Sequence, residues 1–218
     1  MEDAFRRVKQ LKLRDVNYWE RLIHTFIFLS EIKLLEDVFQ YVTEDLGLQP
    51  TEKMLLSYCG CIFNVTQDTT LMYLLERREL ITDTEDQRAT RAYKLPADVG
   101  VLEACHKVKS LSHKFGVPLQ NEAYNLILLS LVRSRHYDEF YDELSELEKK
   151  QQFTLDVRGY TAQMILAANM VLGDERLDIL NGLRDRAQQA PIPQNPKSAR
   201  YAVQQMYETL LCAYSTLE

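Results

Sequence analysis

NEAYNLILLSLVRSRHYDEFYDELSELEKKQQFTLD, residues 121–156, is the stretch of the chain that decides the fold. Apolar residues recur every three or four positions from Tyr124 to Val132, and the pattern begins again at Tyr137 after a short polar break. This spacing places the apolar side chains on one face of a helix. Acids open the second run and two lysines close it, which complements the dipole of a helix. The stretch therefore predicts two antiparallel helices joined by a short link.

The same arrangement recurs along the chain at a nearly fixed interval. Tyr160 follows Tyr124 by 36 positions, and Met54 follows Trp19 by 35. Such an interval predicts stacked two-helix units, each burying its apolar face against the next. We expect an all-α fold of stacked antiparallel helical hairpins. The expected units are N-terminal helical hairpins at 1–81, a polar surface loop at 82–97, central and C-terminal repeats at 98–196, and a capping helix at 197–218. Ser198 is the expected N-cap of this last helix.

Composition supports a helical protein and limits the classes of partner. The chain has 218 residues, of which 46% are hydrophobic, with only 7 glycines and 6 prolines. Few helix breakers favour helices over a fold with many turns. The net charge of −6 argues against nucleic acid as the main partner. No apolar run reaches the length of a membrane span. Four cysteines in a chain of this size do not resemble a disulfide framework, which indicates a reducing compartment.

No motif in the chain predicts catalysis or a bound cofactor. Cys59-Gly60-Cys61 lacks the spacing and the second ligand pair of a metal or redox site, so packing is the favoured interpretation. Cys105-His106 with His113 could contribute to a metal site, but surface or inter-helix roles are favoured. The acids between Asp138 and Glu148 have the spacing of a solvated helix face. The sequence contains no Gly-rich phosphate loop, no Gly-x-Ser-x-Gly turn and no His-Glu-x-x-His pair. We therefore expect no enzyme, no cofactor, no metal and no small-molecule substrate.

The residues at 124–128, Tyr-Asn-Leu-Ile-Leu, resemble the opening of a pentatricopeptide repeat, and Phe-Thr-Leu-Asp at 153–156 resembles its closing segment. Residues 19–23 with 47–51 form a looser match, and 115–119 resemble another repeat ending. Tetratricopeptide-type hairpins have similar spacing. The resemblance implies an α-solenoid. Family members typically work in mitochondria or plastids, and many bind single-stranded RNA with one base per repeat. The resemblance therefore implies a mitochondrial location, although the early acids of the N-terminus do not resemble a transit peptide. The alternative location is the cytoplasm.

The base-reading positions that the resemblance implies do not carry an RNA code. The position two after Tyr124 is Leu126, the one after Tyr160 is Ala162, and the one after Trp19 is Arg21. Leucine and alanine side chains offer no hydrogen bond to a base. The sequence thus predicts a non-catalytic scaffold that binds another protein, as a structural or accessory subunit of a large mitochondrial assembly such as ATP synthase or the ribosome. The alternative is a single-stranded RNA-binding repeat protein acting in organellar RNA metabolism.

Two sets of residues are candidates for partner contact. First helices of stacked hairpins usually line the concave side, so residues there are expected to face a partner. These are Arg21, Thr25, Leu126, Ser130 and Arg133. A second set forms a basic contact for RNA or for an acidic protein: Arg6, Arg7, Lys9, Lys12 and Arg14. A further basic group is interpreted as ordinary surface charge: Arg88, Arg91, Lys94, Lys107, Lys109 and Lys114. The aromatic residues Trp19, Tyr124 and Tyr160 could stack on bases, but packing between hairpins is favoured.

Overall fold

A computed structural model of the chain describes residues 2–26, 32–66, 100–150, 152–171 and 175–215, and every regular element in these ranges is helical. The prediction of an all-helical fold is therefore confirmed. The ten α-helices are α1 (Glu2–Gln10), α2 (Val16–Phe26), α3 (Ile32–Gln40), α4 (Glu52–Val65), α5 (Val101–Phe115), α6 (Asn121–Arg133), α7 (Tyr137–Glu148), α8 (Val157–Met170), α9 (Glu175–Gln189) and α10 (Pro196–Ser215). A π-helical turn, Tyr41–Asp45, directly follows α3. In the described ranges, no helix combines the length and the apolar composition that crossing a membrane requires.

Alternate helices pack on one another in chain order. Helix α2 contacts α4, α4 contacts α6, α6 contacts α8, and α8 contacts α10. Each intervening helix packs on the helix that precedes it, so that α3 contacts α2, α5 contacts α4, α7 contacts α6, and α9 contacts α8. The first residues of α2 and α4 are 36 positions apart, as are those of α6 and α8. The interval seen in the sequence therefore separates helices that touch.

The middle of the chain is described only in part. The sequence predicts a helix from about 97 to 115 that Gly116 ends, and this helix is observed as α5, which packs on both α4 and α6. Its described neighbour before it in the chain is α4. The apolar residues Leu71, Leu74 and Leu75 predict a partner helix for α4. That segment and the expected loop at 82–97 both lie outside the described residues.

Two groups of buried apolar side chains form the core, and α8 contributes to both. The first group extends from Phe5 to Leu166 and includes Trp19, Tyr58, Phe39 and Phe140 among its fully buried members. The second group is made by α8, α9 and α10. Helix α8 lies between α6 on one side and α9 with α10 on the other, which explains why most of its side chains are buried.

Side-chain caps define where several helices begin. The Thr51 hydroxyl accepts a hydrogen bond from the backbone N–H of Met54 at 3.2 Å, as expected for an N-cap residue. At α10 the prediction of Ser198 as the N-cap is wrong. The Asn195 Oδ1 atom accepts from the backbone N–H groups of Lys197 at 2.9 Å and Ser198 at 3.3 Å. Pro196 then occupies the first helical position, where its missing N–H and fixed φ are tolerated.

Candidate interaction surface

The basic N-terminal segment, residues 5–14, packs on the turn that follows α3. The Phe5 side chain is buried, and its ring meets the Tyr41 ring edge-on with centroids 6.1 Å apart. The Tyr41 hydroxyl donates a hydrogen bond to the Lys9 carbonyl oxygen at 2.9 Å. The Lys9 ammonium lies 4.5 Å from the Phe5 ring centroid and 5.1 Å from that of Tyr41. These contacts hold α1 in place and use Lys9 for packing.

The other cations of this segment are exposed. Arg6, Arg7, Lys12 and Arg14 face solvent, and no acid occurs between positions 4 and 14. Among the described residues, Arg7, Lys12 and Arg14 have no ion-pair partner. Leu11 lies in the middle of this charge and is 64% exposed. The result is a positive surface with one exposed apolar side chain.

The chain leaves α1 through a turn that positions Lys12 and Arg14. Lys12 has a φ of 46°, a left-handed conformation that non-glycine residues rarely adopt. The Trp19 indole N–H donates to the Leu13 carbonyl oxygen at 2.8 Å, which anchors the turn to the core. The exposed cations are therefore presented on a fixed backbone.

The lysines of α5 differ because each pairs with an acid from another element. The pairs are Lys107 with Glu36 at 2.9 Å, Lys114 with Glu44 at 3.6 Å, and Lys109 with the buried Glu143. These ion pairs join α5 to α3, to the π-helical turn and to α7. Their charge is balanced within the fold, which agrees with its interpretation as ordinary surface charge. Arg88, Arg91 and Lys94 lie outside the described residues.

The expected partner-facing set divides between surface and core. Arg21 and Thr25 on α2 are exposed. Leu126, Ser130 and Arg133 on α6 are buried, and the Ser130 hydroxyl donates to the Leu126 carbonyl oxygen at 2.7 Å. Their assignment to an open face is therefore corrected. Helix α6 lies between α4 and α8, so the residues on both flanks of its apolar stripe are covered as well.

Arg133 is a buried cation at the end of α6. Its guanidinium carbon lies 4.8 Å from the centroid of the Phe63 ring on α4. Burial lowers its pKa to about 10, and the nearby acidic groups of Tyr201 and Glu208 on α10 partly oppose this shift. A positive group placed over an aromatic face is stabilised by the ring quadrupole. Arg133 is therefore buried against α4, near the acidic groups of α10, and is not exposed on the surface.

The expected packing role of the aromatic residues agrees with their positions. Trp19 is fully buried and lies 5.6 Å from Tyr41, measured between ring centroids. The Tyr124 ring meets Phe153 edge-on at 6.4 Å, and Tyr160 packs against the core of the last three helices. The buried Trp19 ring is closed to a base, and the Lys150 ammonium lies 4.7 Å from the centroid of the Tyr124 ring.

A buried charged network joins the start of α6 to the start of α8. The Asp156 Oδ1 atom accepts from the backbone N–H groups of Arg158 at 2.8 Å and Gly159 at 3.2 Å, which caps α8. The other carboxylate oxygen accepts from Arg158 Nη2 at 2.8 Å, and the same nitrogen lies 3.0 Å from Glu122 Oε1. Burial raises the pKa of Asp156, while the Arg158 guanidinium opposes the rise. The Asp156 carboxylate is therefore both the cap of α8 and the partner of the buried Arg158 guanidinium.

Asparagine side chains extend this network through the link between α7 and α8. The Asn125 Oδ1 atom accepts from the Asp156 N–H at 3.1 Å, and its Nδ2 group donates to the carbonyl oxygens of Asn121 at 2.9 Å and Thr154 at 3.1 Å. A Cβ atom at Gly159 would lie 2.3 Å from Asn125 Oδ1. We call these residues, with Glu122 and Arg158, the α6–α8 junction. Of these junction residues, only Asp156 could have been identified from the sequence, because an Asp that precedes a helix is a frequent N-cap.

The cysteines and histidines are placed as packing and surface residues. Cys59, Cys61 and Cys105 are buried, while His106 and His113 are exposed. Burial raises the pKa of the Cys59 thiol, and it raises that of Cys105 to about 12. A thiol in this state carries no thiolate at neutral pH and is a poor nucleophile. Over the described ranges, no three His, Cys, Asp or Glu side chains converge as a metal ion requires.

Comparisons with protein-family models, with curated proteins and with solved structures find no match to this chain.

Proposed function

We propose that this protein is a non-catalytic helical-repeat scaffold that binds an acidic segment of another protein through the basic N-terminal segment. One observation carries the proposal. Arg7, Lys12 and Arg14 are exposed without an ion-pair partner among the described residues, whereas the α5 lysines are neutralised by acids. A group of exposed cations raises the rate at which a negatively charged partner associates.

The scaffold part of the proposal is that the helix pairs stack as a solenoid. Two features support it: the order of contacts from α2 through α4, α6 and α8 to α10, and the 36-residue spacing of α2 from α4 and of α6 from α8. Each pair then contacts its neighbours in the chain, as in repeat proteins. In this arrangement α5 is the second helix of the unit that begins with α4.

A protein partner is favoured over RNA for two reasons. Leu11 is exposed among the cations, and an apolar side chain suits a protein segment of mixed acidic and apolar residues better than a phosphate backbone. The net charge of −6 also opposes binding to a polyanion outside this one segment. Membership of a larger mitochondrial assembly remains part of the proposal, on the strength of the pentatricopeptide resemblance alone.

The test uses the full chain, a charge-reversed variant and a matched control. R7E/K12E/R14E reverses three exposed cations of the segment. K53E/K149E/R186E changes the net charge equally at exposed positions elsewhere. Circular dichroism first establishes that all three proteins have the same helix content. Each protein then serves as bait in quantitative affinity isolation from its native source, and each is titrated with a labelled peptide of Asp, Glu and Leu and with mixed single-stranded RNA.

The proposal expects a protein partner, and the acidic peptide, to bind the wild type and the control but not R7E/K12E/R14E. Binding should weaken when salt rises above physiological strength. Tight RNA binding with a steep salt dependence, lost in R7E/K12E/R14E, would replace the proposal by the RNA alternative. Retention of every partner by R7E/K12E/R14E would refute the role of the segment.

A further inference from the structure

Helix α10 has one exposed face, and Tyr201 and Glu208 at the edge of this face also lie near the buried Arg133 of α6. The inner side of α10 packs mainly on α8 and α9. Seven exposed residues form the opposite side, which we call the α10 outer face: Lys197, Arg200, Tyr201, Gln204, Tyr207, Glu208 and Leu211. At about 100° per residue they lie within about 120° of the helix circumference. They therefore make one continuous strip.

Three large aromatic or apolar side chains of this strip are exposed. Leu211 is 69% exposed, Tyr207 45% and Tyr201 40%. Large apolar side chains grouped on one exposed face mark a contact surface.

The charges of the strip are self-complementary about its centre. Gln204 is the middle position, and two of the three couples equally far before and after it match in chemistry, whereas the couple of Lys197 and Leu211 does not. Arg200 and Glu208 are four positions away on either side and carry opposite charges. Tyr201 and Tyr207, three positions away on either side, are both aromatic. In an antiparallel pair of identical helices related by a two-fold axis at Gln204, Arg200 of one copy would face Glu208 of the other. Tyr201 of one copy would likewise face Tyr207 of the other.

We propose that the α10 outer face binds the same face of a second copy of this chain, with the two helices antiparallel. Each interface would hold two Arg200–Glu208 ion pairs and two tyrosine pairs, as the self-complementarity of a two-fold contact requires. A parallel pairing would place Arg200 against Arg200 and Glu208 against Glu208, which is repulsive. The proposal is independent of the basic N-terminal segment, but the dimer would present two such segments to one partner.

The size of the surface sets the expected affinity. From Lys197 to Leu211 the helix spans roughly 20 Å at 1.5 Å per residue. One pair of helices of this length buries less than a standard protein interface, so the dissociation constant is expected to be on the order of micromolar. Sedimentation equilibrium from roughly 1 to 100 µM brackets that range. We expect the wild type to pass from monomer to dimer over it.

Reciprocal charge reversal tests the antiparallel register. R200E alone places Glu against Glu208 of the partner, and E208R alone places Arg against the partner's unchanged Arg200. Each variant should self-associate at least tenfold more weakly than the wild type. An equimolar mixture of R200E and E208R should restore association, because both cross pairs are then attractive. Circular dichroism checks that each variant remains folded, since Glu208 also stabilises the buried charge of Arg133.

An apolar substitution provides a second test that does not depend on charge. L211S should weaken the dimer at least tenfold, whereas L177S, at an exposed position on α9, should leave it unchanged. R7E/K12E/R14E should dimerise like the wild type, which separates this proposal from the proposed function. A wild type that stays monomeric to 100 µM, or a dimer insensitive to R200E and L211S, would overturn the proposal. If the mixture of R200E and E208R dimerises no more strongly than either variant alone, the antiparallel register is overturned.

Discussion

Substitution of Gly159 by alanine tests whether the α6–α8 junction is rigid. The added Cβ would lie 2.3 Å from Asn125 Oδ1 and 2.4 Å from Leu155 Cδ2. Leu155 presents the end of a flexible side chain and can turn away. The Asn125 amide cannot move freely, because it accepts from the Asp156 N–H and donates to the carbonyl oxygens of Asn121 and Thr154. Relief of the clash therefore requires breaking this set of hydrogen bonds.

The expected change in stability follows from two opposing effects. Losing three hydrogen bonds at about 1 kcal/mol each costs about 3 kcal/mol. Replacing glycine by alanine inside a helix returns roughly 1 kcal/mol. G159A should therefore lower the free energy of unfolding by about 2 kcal/mol. With a urea dependence of roughly 2 kcal/mol per molar, the unfolding midpoint should fall by about 1 M.

Urea titration followed by circular dichroism at 222 nm measures this change, and Gly182 supplies the matched control. Gly182 lies within α9, and an added Cβ there meets only Arg186 Nη2 at 3.8 Å. G182A should raise stability by roughly 0.5–1 kcal/mol, since only the helix preference acts. N125A/G159A should lose less than the sum of its single substitutions, because N125A removes the obstructing oxygen. A G159A protein as stable as the wild type would refute the assignment of a rigid junction.

The other predictions concern buried charge, helix capping and thiol reactivity. R158M leaves the Asp156 and Glu122 carboxylates without a cation and should lower the free energy of unfolding by about 3 kcal/mol in urea titration. R184M, which removes the exposed ion pair with Asp185, should leave this free energy unchanged. N195A should cost about 1 kcal/mol through loss of the α10 cap, and equal or larger loss in S198A would contradict our assignment. With a thiol reagent at pH 8, only the half-buried Cys212 should react in the native state, whereas all four cysteines should react in urea. Rapid labelling of a second thiol in the native state would contradict the burial of the other three cysteines.

Much of the fold could be predicted because it depends on local periodicity. The apolar spacing of Tyr124 to Val132 predicts α6, and the recurrence 36 positions later predicts α8 at Tyr160. Gly116, with a φ of 63°, ends α5 near the position expected from the sequence. Hydrophobic faces and helix ends are properties of neighbouring residues, so a single sequence is enough to find them.

The candidate surface was only partly predictable, because exposure depends on which helices come together. The cations of α1 and those of α5 look alike in the sequence, but only the α5 lysines are brought within reach of Glu36, Glu44 and Glu143. Likewise, Leu126 and Ser130 fall on an apparently open part of α6 until α4 and α8 cover both of its sides.

The sequence by itself therefore determined the helical class, the repeat interval and the segment where positive charge collects. The tertiary structure alone decided which charges remain unpaired, that Arg133 is buried over Phe63, and that Gly159 must lack a side chain beside Asn125. The physical reason is distance along the chain. Helix formation is governed by contacts three or four residues apart, whereas ion pairing, burial and close approach join residues that only the packed fold makes neighbours.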